Sequence, residues 1–376
     1  PFGVEPRSPR AGEWASTSGI FHWGFTAWAF YCLPTVAIAY PFYVKQTRSL
    51  RFSNSCYYWL GGNEETRRGR LIDFLFMIGL LGGAGTSLGF STPMISTLVG
   101  RLTGLEPDFA LEFGVVVVSV FFFGLSVYLG LRRGIKRLSE LNMWIAFVLL
   151  AFVLITGPTV FLLKTSLNSV GLMLDNLIRM SSWTDAFTES GFVESWTVFY
   201  WAWWIAYGPF VGLFVTRISH GRSIREVIFG MLGYGTLGCA LFYMIIGNYG
   251  LHLELSGTVA VTETLAGQGA PAAISAILDT LPMAGLVIAA FALIAFVFSV
   301  TTYDSASYIL ASSATRRLRP GENPQRWHRV FWALALAVLP LTLMFVGGLK
   351  VIQTATLVVS LPLLLVGVVM AWSLAR

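Results

Sequence analysis

Long apolar runs separated by short polar stretches dominate the chain, and their lengths predict helices that cross a membrane. Nine runs, at about 21–45, 71–99, 107–131, 141–163, 194–216, 224–250, 283–314, 328–347 and 350–374, are each long enough to span a hydrocarbon core. Before the first of them, 1–20 is polar and rich in proline and reads as an external loop. Between the fourth and fifth, 164–193 sets Leu172, Leu174, Leu177, Ile178 and Met180 among polar residues, the pattern of an amphipathic helix lying along the outer surface. A shorter helix is predicted over 272–278, because Pro271 suits a first helical position.

Composition agrees with this reading. Hydrophobic residues make up 55% of the chain and charged ones 12%, with a mean hydropathy of +0.70. A soluble domain carries about 25% charged residues, so the fold class is an all-α polytopic membrane protein. The net charge of +6 is not a nucleic-acid footprint, because its placement follows the bilayer. Of the 25 Lys and Arg, 19 lie on one set of alternate loops: Lys45, Arg48, Arg51, Arg67, Arg68, Arg70, Arg132, Arg133, Lys136, Arg137, Arg217, Arg222, Arg225, Arg316, Arg317, Arg319, Arg326 and Arg329, with Arg376 at the end. That places the start of the chain outside and Arg376 in the cytoplasm, which an odd number of spans satisfies. Cys32 and Cys239 fall in spans and Cys56 in an inside loop, so no disulfide framework is implied. The four histidines have no metal-ligand spacing, and no cofactor is expected.

Three stretches carry the candidate chemistry. Segment 196–210 (WTVFYWAWWIAYGPF) holds four tryptophans and two tyrosines in fifteen residues. At 100° per residue, Trp196, Tyr200, Trp203 and Tyr207 share one stripe, with Trp204 beside it. Interfacial aromatic belts form at helix ends, whereas this stripe runs through the middle of a span. Aromatic faces at that density attract a bulky, poorly hydrated cation. The glycine-rich 79–93 and the hydroxyl-rich 298–307 would each disturb a helix, and such backbone is tolerated where it meets protein or a water-filled cavity. For the glycines, close helix packing through small residues is the competing explanation. Asp304, ionisable at membrane depth, marks the second stretch as functional.

Taken together, 196–226, 22–31 (HWGFTAWAFY) and 301–307 (TTYDSAS) resemble the betaine–choline–carnitine transporter family, in order and at family-like distances. The resemblance covers essentially the whole chain. It implies a LeuT-like fold of twelve helices in two inverted five-helix repeats. Counted from the Trp-rich helix, this chain matches the fourth to twelfth, with 21–163 a partial first repeat and 194–376 the second. A third helix would complete the site, and the native protein is expected to be longer. The resemblance also implies an aromatic box of Trp23, Trp28, Tyr31 and Trp204, with Trp203 alongside and Tyr207 where the family carries another tryptophan. It implies a sodium site formed by the Phe298 carbonyl and the Thr301 and Thr302 hydroxyls. Leu80 and Ala84 replace the threonines of a further sodium site of which Phe210 is kept, so one coupling sodium is expected. A homotrimer in a prokaryotic inner membrane is implied as well.

The residues suit that chemistry. A quaternary ammonium or sulfonium group has no N–H to donate, so cation–π attraction and shape must hold it, at about 0.5–2 kcal/mol per face. Trp23, Trp28 and Tyr31 can line one side of a cavity on a single helix. Hard cations take oxygen ligands, which Thr301 and Thr302 supply. The expected activity is sodium symport of a zwitterionic osmolyte, glycine betaine first, with choline, carnitine and dimethylsulfoniopropionate as alternatives. A sodium-independent exchanger of the carnitine kind is the runner-up, disfavoured by the hydroxyl pair. A membrane enzyme lacks a catalytic constellation, and a channel is disfavoured because tight binding slows permeation.

Overall fold

The computed structural model describes residues 2–47, 51–63, 65–129, 132–315 and 323–376. Arg48, Arg316, Arg317 and Arg319 of the basic loops lie outside the described residues. Among the described residues the regular structure is helical, and eight helices are long and apolar enough to cross a membrane.

The chain enters through α1 (Pro9–Trp23) and α2 (Phe25–Ala39). The expected external loop over 1–20 is therefore corrected: it is helical from Pro9. Ser8 caps that helix, its hydroxyl accepting from the Ala11 amide at 3.2 Å, and Pro9 occupies the first turn, where its missing N–H costs nothing. Proline and serine here start a helix instead of preventing one. Gly24 divides α1 from α2 with φ −90° and ψ −118°, and a β-carbon there would collide with the Ile20 carbonyl. The first span is thus a broken rod, Pro9–Val44.

Next come α3 (Arg67–Thr103), α4 (Phe109–Leu129), α5 (Arg132–Thr156) and α6 (Thr159–Ser182). The glycine-rich part of α3 stays helical, which supports close packing as its role. Gly79 meets the Leu363 side chain, and Gly82 brings Val359 to 3.0 Å of where a β-carbon would sit. The amphipathic segment expected over 164–193 is helical only to Ser182 and lies against α1.

Helix α7 (Phe199–Ile218) follows a π-turn, Val193–Val198. The following span is one rod, Ile224–Leu255. It consists of α8 (Ile224–Gly230), α9 (Thr236–Phe242) and α10 (Asn248–Leu255), joined by π-turns at Met231–Gly235 and Tyr243–Gly247. Helices α11 (Val261–Gln268) and α12 (Ala270–Asp279) precede α13 (Ala284–Ser313) and α14 (Arg326–Ala375).

Helix α14 corrects the two spans expected at 328–347 and 350–374, since both belong to one 50-residue helix. Glycine weakens a helix by about 1 kcal/mol without forbidding it, so Gly347 and Gly348 do not impose the break. Only its second half, Gln353–Ala375, ranks among the eight candidate spans, and part of 328–347 carries side chains outside the described set.

One core joins α3, α7, α13 and α14 around Phe76, Leu80, Ala84, Phe210, Tyr303 and Leu336. Helix α2 packs along α7 at Gly208 and Gly212. A β-carbon at Gly212 would lie 2.9 Å from the Pro34 carbonyl carbon, so the four-residue glycine spacing is what admits the α2 backbone. Where they cross, the Thr216 hydroxyl donates to the Thr35 carbonyl at 3.2 Å.

Candidate functional site

The break at Gly24 and the α2–α7 crossing together build an aromatic cluster. Trp23 is the last residue of α1, and Trp28 and Tyr31 lie in the first two turns of α2. Trp203 and Trp204 come from the first turns of α7. Trp23 and Trp204 meet edge to face with ring centroids 4.7 Å apart, Trp204 and Tyr31 at 6.1 Å, and Tyr31 and Trp28 at 5.7 Å. Trp28, Tyr31, Trp204 and Trp23 therefore form an unbroken chain of rings from three helices, α7 lying far from α1 and α2 in sequence, with interplanar angles of 75–89°. Such T-shaped contacts are the favoured aromatic geometry. Perpendicular rings also present their faces in different directions, as a multi-sided cage for a cation requires. The two segments that supply these rings, 21–44 and 196–216, contain no Asp, Glu, Lys or Arg.

The two remaining expected ring positions are placed differently. Trp203 stacks on Trp204 at 5.1 Å and on Phe90 at 5.5 Å, while its indole N–H donates to the Gly83 carbonyl at 3.1 Å. It ties the cluster to α3. Tyr207, one turn on, lies over Gly83 and meets Phe210 at 4.9 Å. Among the described ring contacts it does not touch the four-ring chain.

Within the Trp-rich segment the expected stripe holds from Trp196 through Tyr200 to Trp203, at 6.0 and 6.2 Å between ring centroids, and among the described ring contacts it breaks before Tyr207. The rings of Phe192, Trp196, Tyr200 and Trp204 follow one another at 6.2, 6.0 and 5.7 Å. Side chains four apart are neighbours on a helix face, so this column runs beside the stripe and shares Trp196 and Tyr200 with it. Trp196 ends up 45% exposed at the outer end of that column.

Two neighbours that sequence reasoning missed hold the rings in place. Gly235, in a π-turn, lies under Trp28, and a β-carbon at that position would overlap the indole. His22 is buried, with Nδ1 2.9 Å from the Ser18 carbonyl and Nε2 3.0 Å from the Thr197 hydroxyl. Its backbone carbonyl accepts from the Trp204 indole N–H at 3.0 Å. The signal for His22 was its place in the sequence, a polar residue directly before Trp23 in an apolar span. No sequence signal marks Gly235 among 38 glycines.

The residues of the expected sodium site lie on one face of α13. The Thr301 hydroxyl donates to the Val297 carbonyl at 2.9 Å and lies 3.1 Å from the Phe298 carbonyl. It thus back-bonds to its own helix, as threonine commonly does, and two oxygens of the expected set are adjacent. Thr302 is half-buried and the Phe298 side chain is exposed. Leu80 and Ala84 are fully buried in the apolar core that also holds Phe210, and the Ala84 carbonyl accepts from the Tyr303 hydroxyl.

Eight membrane-length helices in an all-helical bundle define a polytopic membrane protein, and the family that its sequence matches makes it a transporter. The family model for the betaine/carnitine/choline transporters matches residues 1–376, and the chain belongs to that family. It is 35% identical over 366 residues to the uncharacterized transporter YeaV of Escherichia coli, covering 97% of this chain and 76% of that protein. It is 34% identical over 376 residues to a carnitine transporter of Acinetobacter baumannii, covering all of this chain and 68% of that one.

Proposed function

We propose that the protein imports a quaternary-ammonium or sulfonium zwitterion, glycine betaine first, by sodium symport across a prokaryotic inner membrane, with its C-terminus in the cytoplasm. The observation that carries the proposal is the ring chain Trp28–Tyr31–Trp204–Trp23 in a region without acidic side chains. A trimethylammonium group cannot donate a hydrogen bond, so a cage of aromatic faces is the recognition open to it. Tyr207 keeps an aromatic face and adds a hydroxyl that could receive the substrate's carboxylate. For the coupling ion, the Phe298 carbonyl and Thr301 hydroxyl oxygens are close enough to share one small cation, with Thr302 beside them.

A second reading, exchange or uptake of carnitine, is favoured by the name of the Acinetobacter relative. One experiment separates the two. The full-length protein in proteoliposomes is offered labelled glycine betaine and L-carnitine, first under an inward sodium gradient and then with potassium in its place. Sodium-dependent accumulation of glycine betaine supports the proposal. Accumulation undiminished in potassium removes sodium coupling, and counterflow of carnitine alone establishes the exchanger.

A further inference from the structure

The last turn of α1 carries a residue, His22, bonded to α7 and its π-turn at two separate points. The His22 side chain meets Thr197 of the π-turn, and the His22 carbonyl accepts from Trp204. Thr197 and Trp204 are seven residues apart, roughly 10 Å along a helix, so one residue spans two turns of its neighbour. A carbonyl can only accept, so Nδ1 carries the proton that goes to Ser18. In the neutral ring Nε2 is then an acceptor, and Thr197 is the donor. Both His22 and Thr197 are buried, and no other partner is described for the Thr197 hydroxyl. The imidazole also packs against Phe21 at 4.9 Å and Tyr200 at 5.4 Å, which leaves it one orientation.

We propose that His22 is the positioning residue of the aromatic cage: bonded to Thr197 on one side and to Trp204 on the other, it fixes the Trp204 ring against Trp23. The proposal rests on reading the cage as the substrate site. Trp204 has a single polar atom, and that atom is spent on the His22 carbonyl. The ring's height and tilt against Trp23 therefore follow the end of α1, and the Thr197 bond sets where that end lies. Releasing the bond lets α1 slide along α7 and spoils the edge-to-face contact without removing any ring that touches substrate.

The test uses the full-length protein in proteoliposomes, with glycine betaine and L-carnitine as probes. Tryptophan fluorescence titration gives affinity, and uptake is expressed per inserted molecule. Thr197→Val is expected to raise the half-saturating concentration about fivefold, the factor one net buried hydrogen bond supplies, with the maximal rate unchanged. Thr197→Ser restores the native value because it keeps the hydroxyl. His22→Phe keeps the packing and loses the bond, and combining it with Thr197→Val adds nothing further. If Thr197→Val changes only the amount of inserted protein, or if the two effects multiply, the clamp is overturned. Trp204→Ala separates this from the underlying reading. Should Trp204→Ala bind as tightly as the wild type, the cage itself falls; if Trp204→Ala abolishes binding while Thr197→Val is silent, only the clamp falls.

Discussion

At the residue scale, individual side chains act through contacts that a single atom can upset. Alanine in place of glycine usually favours a helix by about 1 kcal/mol. Gly235→Ala should do the opposite for function, because the added methyl would occupy the space of the Trp28 indole. The expected outcome is normal membrane insertion with affinity for glycine betaine or carnitine reduced at least tenfold, read by fluorescence titration. Trp204 offers the complementary test. Trp204→Phe keeps an aromatic face but loses the bond to the His22 carbonyl, whereas Trp204→Ala loses both. Partial binding is expected of the first and none of the second, since each face is worth about 0.5–2 kcal/mol. A neutral tertiary-carbon isostere that competed as well as the cation would show that shape alone is recognised.

At the element scale, the aromatic cluster depends on how closely α2 approaches α7. Gly212→Val would push the Pro34–Thr35 backbone away, and overpacking of this kind costs about 1–3 kcal/mol. A lower unfolding temperature in detergent, accompanied by lost binding, is the expected result. The loop between α6 and the π-turn before α7 is organised separately by Asp185, whose carboxylate accepts from the Thr188 hydroxyl, the Ser190 amide at 2.6 Å and the Ser190 hydroxyl. Those bonds, Ser190 first, hold the Asp185 carboxyl below its ordinary value. A depressed carboxylate contributes stability above the unfolded value and loses it as pH falls through the folded one. Hydrogen-exchange protection of the Ser190 amide, corrected for intrinsic rate, should be flat from neutral pH down to about 4, near the unperturbed carboxylate value, and disappear below it. Asp185→Asn should abolish that profile.

At the scale of the whole molecule, the apolar residues that face outward are as informative as the core. On α4 and α5, Phe121, Trp144, Val148 and Ile155 are all more than 60% exposed, a belt suited to lipid. Val148→Asp should therefore cost about 2.5–3.5 kcal/mol of insertion, the value for an acid near a helix centre, seen as loss of membrane-integrated protein. Coupling is a global property as well. Thr301→Ala with Thr302→Ala should raise the sodium concentration for half-maximal uptake and leave insertion intact; an unchanged sodium dependence would reduce these hydroxyls to bonds within their own helix. The apolar runs, their lengths and the candidate aromatic residues were legible in the sequence because hydrophobicity and residue type are local and need no partner. Even the grouping of Trp23, Trp28, Tyr31 and Trp204 could be read from motifs. Local information ran out where a contact joins distant residues. Gly79 and Gly82 turned out to be the seat of α14, Gly235 the seat of Trp28, and His22 the bridge from α1 to α7. The run 326–375 also continued as one helix through two glycines. The glycine and histidine contacts were decided by packing between segments more than a hundred residues apart, where the closeness of two backbones outweighs local propensity.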